Sequence, residues 1–285
     1  MQQRTALWFL RVLTLPSLFW LLFASPVKAA ASEIITLAPH ITELVFAAGA
    51  DDQIKATVDS SDYPAQAREL MRVGNGVHIN VETLLALQPD IVIAWQPTQA
   101  VQALHPALKA AGIELLFSAP RTLDDIPREI RRFGTLLNGK EAEQNARSLQ
   151  DRIDTLRDTY ALRPLVRVYI DLGAEPLYTL GNDPLLNDVL AICRGVNVYA
   201  GSAMAAPLVS LESVLSQQPD AIITATSSAS HAMQRRAYWK SVKLNAALHD
   251  RVYAADRDLL FRPGPRLIDA AETLCADLDK ARHAN

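Results

Sequence analysis

Most motifs that announce a chemistry are missing from this chain of 285 residues. There is no G-x-G-x-x-G and no G-x-x-x-x-G-K-[ST], so neither glycine-rich phosphate loop is present. There is no G-x-S-x-G, which removes the nucleophile elbow of an α/β-hydrolase. An exported hydrolase stays open as a rival reading, but it needs a nucleophile and a base converging in a cleft, and no motif supplies the pair. The six histidines form no H-x-x-x-H or H-E-x-x-H pair. Positive charge is not in excess: Lys and Arg number 28 against 31 Asp and Glu, for a net charge of −3. No global field draws the chain to nucleic acid, and no face interleaves basic and aromatic residues. Cysteine is confined to Cys193 and Cys275.

Only the N-terminus carries a long apolar run. Arg4 and Arg11 lie in a segment without acids, Val12 to Ala24 is largely apolar, and small residues follow at Val27-Lys28-Ala29 and Ala29-Ala30-Ala31. Residues 1–31 therefore have the form of a secretory signal peptide, cleaved after Ala29 or Ala31. The alternative is an uncleaved anchor, against which the run is shorter than the ~20 residues a spanning helix needs. No Cys follows the run, so lipoprotein anchoring is not indicated. Export places the two cysteines in an oxidising compartment, where they can bridge or remain two buried thiols.

What is present is said twice. Shifted by 130 positions, Ile79–Trp95 (INVETLLALQPDIVIAW) overlays Val209–Ala225 (VSLESVLSQQPDAIITA), with Glu82/Glu212, Leu85/Leu215, Gln88/Gln218, Pro89/Pro219, Asp90/Asp220 and Ile93/Ile223 identical. Asn80 and Ser210 are N-cap types, the apolar spacing that follows predicts a helix, and the proline stops it. The runs IVIAW and AIITA do not alternate, which suits strands covered on both faces in a parallel sheet. A duplication this long predicts two similar Rossmann-like α/β lobes rather than a solenoid, whose repeats span roughly 20 to 50 residues.

The rest of the chain fits that plan. Ile34–Leu37 is expected as the first strand, broken by Pro39 before a helix starting at His40 or Thr42, and Ile54–Val58 as the second. Ala100–Ala111 and Leu123–Leu137 are expected helices around the strand Ile113–Phe117. Lys140–Leu162 holds no Gly or Pro and repeats Ala146, Leu149, Ile153, Leu156 and Tyr160 at helical spacing. It predicts one long connecting helix and little motion between the lobes. Boundaries fall at 32–139 for the first lobe, 140–163 for the connector and 164–285 for the second. Val166–Leu172, Leu185–Ile192, Arg251–Ala255 and Leu267–Leu278 complete the second lobe as strand, helix, strand and helix.

Loops beyond the carboxyl ends of parallel strands face the ligand crevice in such folds. Tyr63, Trp95, Tyr178 and the pair Asp258 and Arg262 fall in such loops. For Trp95, a ligand platform and a plug on the lobe's own core stand equal; for Asp258 and Arg262, a solvated salt bridge is the alternative. Glu82 and Glu212 each sit two positions after an N-cap, where a carboxylate favours the positive helix end by ~0.3 to 1 kcal/mol. That suffices as a structural reason, but two matching acids on related lobes also suit a partner that is a symmetric dimer. His40, His78 and Glu43 are the available donors for a zinc- or manganese-binding rival.

LAPHITELVFAAGA, SDYP, INVETLLALQPDIVIAW, the Pro-free connector and the LC-containing terminal helix together resemble the helical-backbone class of periplasmic substrate-binding proteins. Within that class they are most similar to the cobalamin (vitamin B12) binders of ABC importers. The resemblance implies a non-enzymatic, monomeric periplasmic protein that clamps a corrinoid in its interlobe cleft and delivers it to a permease dimer with ATPase subunits. Cobalamin is then cargo, and no resident cofactor or metal is implied. Residue by residue, the resemblance makes Tyr63, Trp95, Tyr178, Asp258 and Arg262 ligand contacts. It makes Glu82 and Glu212 the docking acids that pair with permease arginines, and Cys193 and Cys275 the family's disulfide. Two positions depart from it: Gly76 and Ala206 stand where aromatics precede the repeat units, which implies a wider pocket, a different corrinoid, or haem or a ferric siderophore instead.

Overall fold

The computed structural model describes residues 32–173 and 176–283, so the export signal expected over residues 1–31 lies outside the described residues. The chain begins with β1 (Ile34–Thr36), α1 (Pro39–Ala47), β2 (Ile54–Thr57), β3 (Met71–Arg72), α2 (Val81–Ala86), β4 (Ile91–Ala94), α3 (Gln99–Ala110), β5 (Glu114–Phe117) and α4 (Asp125–Leu137). After α5 (Ala142–Tyr160) come β6 (Val166–Asp171), α6 (Pro184–Ile192), β7 (Gly195–Asn197), α7 (Leu211–Gln217), β8 (Ala221–Ala225), α8 (Ala229–Ser241), α9 (Asn245–Leu248), β9 (Val252–Ala255), α10 (Arg257–Leu260) and α11 (Leu267–His283). Among the described residues the strands form two parallel sheets, β3-β2-β1-β4-β5 and β7-β6-β8-β9.

The repeat is as exact in space as in sequence. β4 pairs with β1 as β8 pairs with β6. Asn80 accepts a hydrogen bond from the Thr83 N–H, and Ser210 accepts one from the Ser213 N–H. Gln88 and Gln218 both turn the chain through the left-handed region, at φ 47° and 44°, ahead of a buried proline. Asp90 and Asp220 then accept, at 2.7 and 2.8 Å, from the backbone N–H of Glu33 and Arg167 at the foot of the neighbouring strand. Each aspartate thus ties its strand to the centre of its sheet, and β4 and β8 are buried along their whole length.

Alternation along the strands assigns the sheet faces. Ile34, Ile91 and Ile93 point to one apolar cluster, and Ile35, Val92 and Ala94 to another shared with Leu84, Leu104 and Leu108. The first of these clusters does not stop at the lobe. It continues through Phe133 of α4 and Ile153 of α5 to Val189 of α6 and Leu274 of α11, so one core runs through both lobes. α5 supplies the join: Ala142, Ala146, Leu149, Ile153 and Leu156 form its buried stripe, and it packs on α1 and α4 on one side and on α6 and α11 on the other. Arg152 adds bonds to Glu272 and Asp269 of α11 at 2.8 and 2.6 Å.

Cys193 caps α6 and is bridged to Cys275 of α11, with Cα atoms 4.8 Å apart. On the chain-entropy model, closing a loop of 82 residues stabilises the fold by about 4 to 5 kcal/mol.

The structure corrects several local expectations. Pro39 does not separate strand from helix; it lies in the first turn of α1, where a missing N–H has no intrahelical partner to lose. The 256–267 segment is not all loop, because Asp256 accepts from the N–H groups of Asp258 and Leu259 and starts the one-turn α10. α11 continues past Leu278 to His283. No helix among the described residues is long and apolar enough to cross a membrane.

Candidate functional site

Because both sheets are parallel, the loops after their strands gather at the carboxyl edges. Between the lobes lies a cavity of about 530 Å³, within the range of small-molecule sites. Trp95, Gln96, Pro120 and Arg121 wall it from the first lobe, and Leu180, Leu185, Ala205 and Phe261 from the second. Its character is apolar with a few polar groups, as ligand sites require. A larger groove of about 800 Å³ runs along the outer side of α5, but its walls are charged and paired among themselves, as Glu143 is with Arg147. Covering that groove means desolvating ions with little apolar surface in return, so the interlobe cavity is the better candidate.

Trp95 is 42% exposed at the end of β4. Its indole meets the His40 ring edge-on, with centroids 5.3 Å apart. His40 is buried and donates from Nε2 to the Ser118 carbonyl at 3.3 Å. Burial pushes its pKa down to about 4, only partly offset by the bond to Ser118, so the ring is neutral at neutral pH. His40 is a pedestal for Trp95 rather than a ligand donor. His78 is exposed, and among the described residues no group of three or more His, Cys, Asp or Glu is arranged to hold a metal ion.

Arg262 and Asp258 come together at 3.3 Å across one turn. The Arg262 guanidinium also crosses to the first lobe, bonding Asp62 at 2.5 Å. Burial alone favours a neutral Arg262, but the bond and charge of Asp62, with Asp258 and Glu43 nearby, prevail and raise its pKa. For Asp62, burial pushes upward, and the hydrogen bond and charge of Arg262 bring the carboxyl below its usual range. Four residues on, Arg266 grips Glu43 of α1 bidentately at 2.6 and 3.0 Å and lies 4.2 Å from the centre of the Tyr63 ring. Tyr63, 47% exposed, is thereby joined to the Arg262 cluster.

Tyr178 is 40% exposed and pairs by backbone with Leu208. It stands outside the lining of the cavity that holds Trp95. Asp258 borders a separate hollow of about 580 Å³ with Thr226, Ser228, His231 and Arg257. Sequence reasoning missed His40, Glu43 and Arg266 as partners of the cleft aromatics. The signal within reach was the RPGPR run, which sets a second arginine four residues beyond Arg262.

Glu82 and Glu212 occupy the first turns of α2 and α7, and both are exposed. The exposure of the two segments matches position by position from Val81 to Pro89 and from Leu211 to Pro219. The Glu212 carboxyl lies below its usual range, through its own backbone N–H and then the Ser210 hydroxyl. Gly76, the departure in the first lobe, has φ +85°, a conformation that side chains rarely adopt. Glycine there answers a backbone need, while Val77 beside it and Met204 and Leu208 around Ala206 expose large apolar side chains.

Residues 34–259 match the periplasmic binding protein family. The vitamin B12-binding protein of Vibrio cholerae is 37% identical over 264 residues, covering 92% of this chain and 93% of that protein. Its counterpart in Vibrio parahaemolyticus is 32% identical over 252 residues, covering 87% and 90%. Among solved structures, the periplasmic vitamin B12 binding protein BtuF of Vibrio cholerae superposes with a TM-score of 0.79 at 37% identity, over 88% of this chain and 98% of that one. The apo haem-binding protein RhuT of Roseiflexus sp. RS-1 shares the fold, with a TM-score of 0.74 at 23% identity over 90% and 100%.

Proposed function

The chain belongs to the periplasmic binding protein family, and from that premise we propose that it is the cargo-binding component of an ABC importer, holding cobalamin or a related corrinoid between its lobes. What supports the cargo is the match to vitamin B12-binding proteins, which runs through both lobes. The lining of the cavity has the chemistry that part of such a molecule takes. A corrinoid is a broad macrocycle fringed with amide arms, for which Trp95, Leu180 and Phe261 offer apolar surface and Gln96, Asp183 and Arg121 offer hydrogen-bonding partners. Tyr63, Tyr178, Asp258 and Arg262, which lie outside that lining, meet the parts of the ligand that project beyond it, and the exposed Val77, Met204 and Leu208 offer apolar surface near the positions where Gly76 and Ala206 lack aromatics.

The protein acts in the periplasm after removal of residues 1–31, as a monomeric carrier without catalysis and without a resident cofactor. Its first lobe spans 32–139 and its second 164–285, with 140–163 as the connector. Glu82 and Glu212 dock it to the two halves of a permease dimer driven by ATPase subunits. Calorimetry with purified mature protein tests the cargo: cyanocobalamin is expected to bind saturably at one site per chain. Tight binding of haemin with no heat from cyanocobalamin would transfer the cleft to haem.

A further inference from the structure

Tyr63 poses a problem that the cavity alone does not solve. Its ring projects from the irregular segment between β2 and β3, half exposed, and a ring so placed samples several rotamers unless something holds it. Ordering such a side chain when cargo arrives would subtract from affinity, and a ring already in place avoids that loss. The holding element comes from the other lobe. The Arg262-Pro263-Gly264-Pro265-Arg266 run is stiffened by two prolines and packs on α1 at Gly264, where a Cβ would stand 3.3 Å from a Glu43 carboxylate oxygen and 3.4 Å from the His40 Cβ. That close approach sets Arg266 against Glu43. The carboxylate is 2% exposed, its two oxygens take the two bonds of the guanidinium fork, and the fork's orientation is therefore fixed. The plane so fixed is the one lying 4.2 Å from the Tyr63 ring centre.

We infer that Arg266 is a positioning residue: anchored by Glu43 of the opposite lobe, it clamps the Tyr63 ring on the cleft rim before cargo arrives. The value of the clamp for transport rests on the cargo reading above, while the clamp itself is a property of the empty protein. Lysine at 266 separates the two. It keeps a positive charge for Glu43 but has no flat fork to stack on the ring.

The test places 3-fluorotyrosine at position 63 and records fluorine spectra of cargo-free protein with Arg266 and with Arg266→Lys. The arginine protein is expected to give one resonance displaced from that of a free tyrosine. In Arg266→Lys the line moves to the free position while far-ultraviolet circular dichroism shows the fold retained. Identical resonances in the two proteins would overturn the clamp. If Arg266→Lys does not fold, the pair Glu43→Gln with Arg266→Gln removes both charges and carries the same comparison.

A binding cycle then asks what the clamp does. Arg266→Lys should weaken cyanocobalamin binding by about tenfold when Tyr63 is present and by less than about twofold in a Tyr63→Ala background. Equal loss in both backgrounds would overturn the positioning role. Absence of binding by the unmodified protein would refute the cargo instead, leaving the fluorine result to decide the clamp.

Discussion

His40 supports Trp95 through a ring that folding keeps neutral, and this makes the cleft wall sensitive to acid. With a pKa of about 4 when folded, against about 6.5 for a free histidine, the unfolded chain takes up a proton between those values and the native chain does not. Stability from this site is complete above pH 6.5 and is lost as the pH falls toward 4, by about 3 kcal/mol at most. Chemical denaturation at pH 7 and pH 4.5 should therefore show the natural protein losing about 2 to 3 kcal/mol more than His40→Gln; equal losses would contradict the assignment. The sequence put Trp95 at a strand end and Tyr63 in the segment beyond a strand, and those positions are where the fold has them, next to β4 and six residues past β2. Their supports were not legible. Glu43 meets Arg266 across 223 positions and Asp62 meets Arg262 across 200, and no local pattern encodes a pairing between loops of different lobes.

At the scale of elements, the duplicated unit explains itself twice over. Its left-handed glutamines, buried prolines, strand-tying aspartates and the apolar pairs Leu85/Leu215 and Ile93/Ile223 account for the other identical positions as structure, and Glu82 and Glu212 are what remains. Helix-end electrostatics give each a small stabilising role, so replacing both with Ala should lower the thermal midpoint only slightly. Cyanocobalamin affinity should not change, whereas uptake into vesicles carrying the cognate permease should be abolished; undiminished uptake would return both acids to helix capping. The helices and strands with a repeating apolar pattern were readable, including both copies of this unit. β3, β7 and α10 were not, since two to four residues carry no periodicity. α8 was also unreadable, because its core-facing side chains include Arg235, which pairs bidentately with buried Asp171, and hydropathy scores such a residue as surface.

In the whole molecule, the two lobes share one apolar core through α5, and two ion pairs, Arg262 with Asp62 and Arg266 with Glu43, run from one lobe to the other. Lobes joined in this way are expected to move little relative to each other. The two-lobed plan was legible from the repeat and the Pro-free connector. The continuity of the core was not, because strand alternation tells which residues share a face and not which neighbouring layer covers it. Corrinoids, haem and ferric siderophores absorb visible light differently, so the cargo identifies itself. The most direct measurement is the absorption spectrum of the mature protein purified from its native source. Corrinoid bands that copurify with the chain and disappear on denaturing extraction are predicted; a haem Soret band in their place would contradict the account.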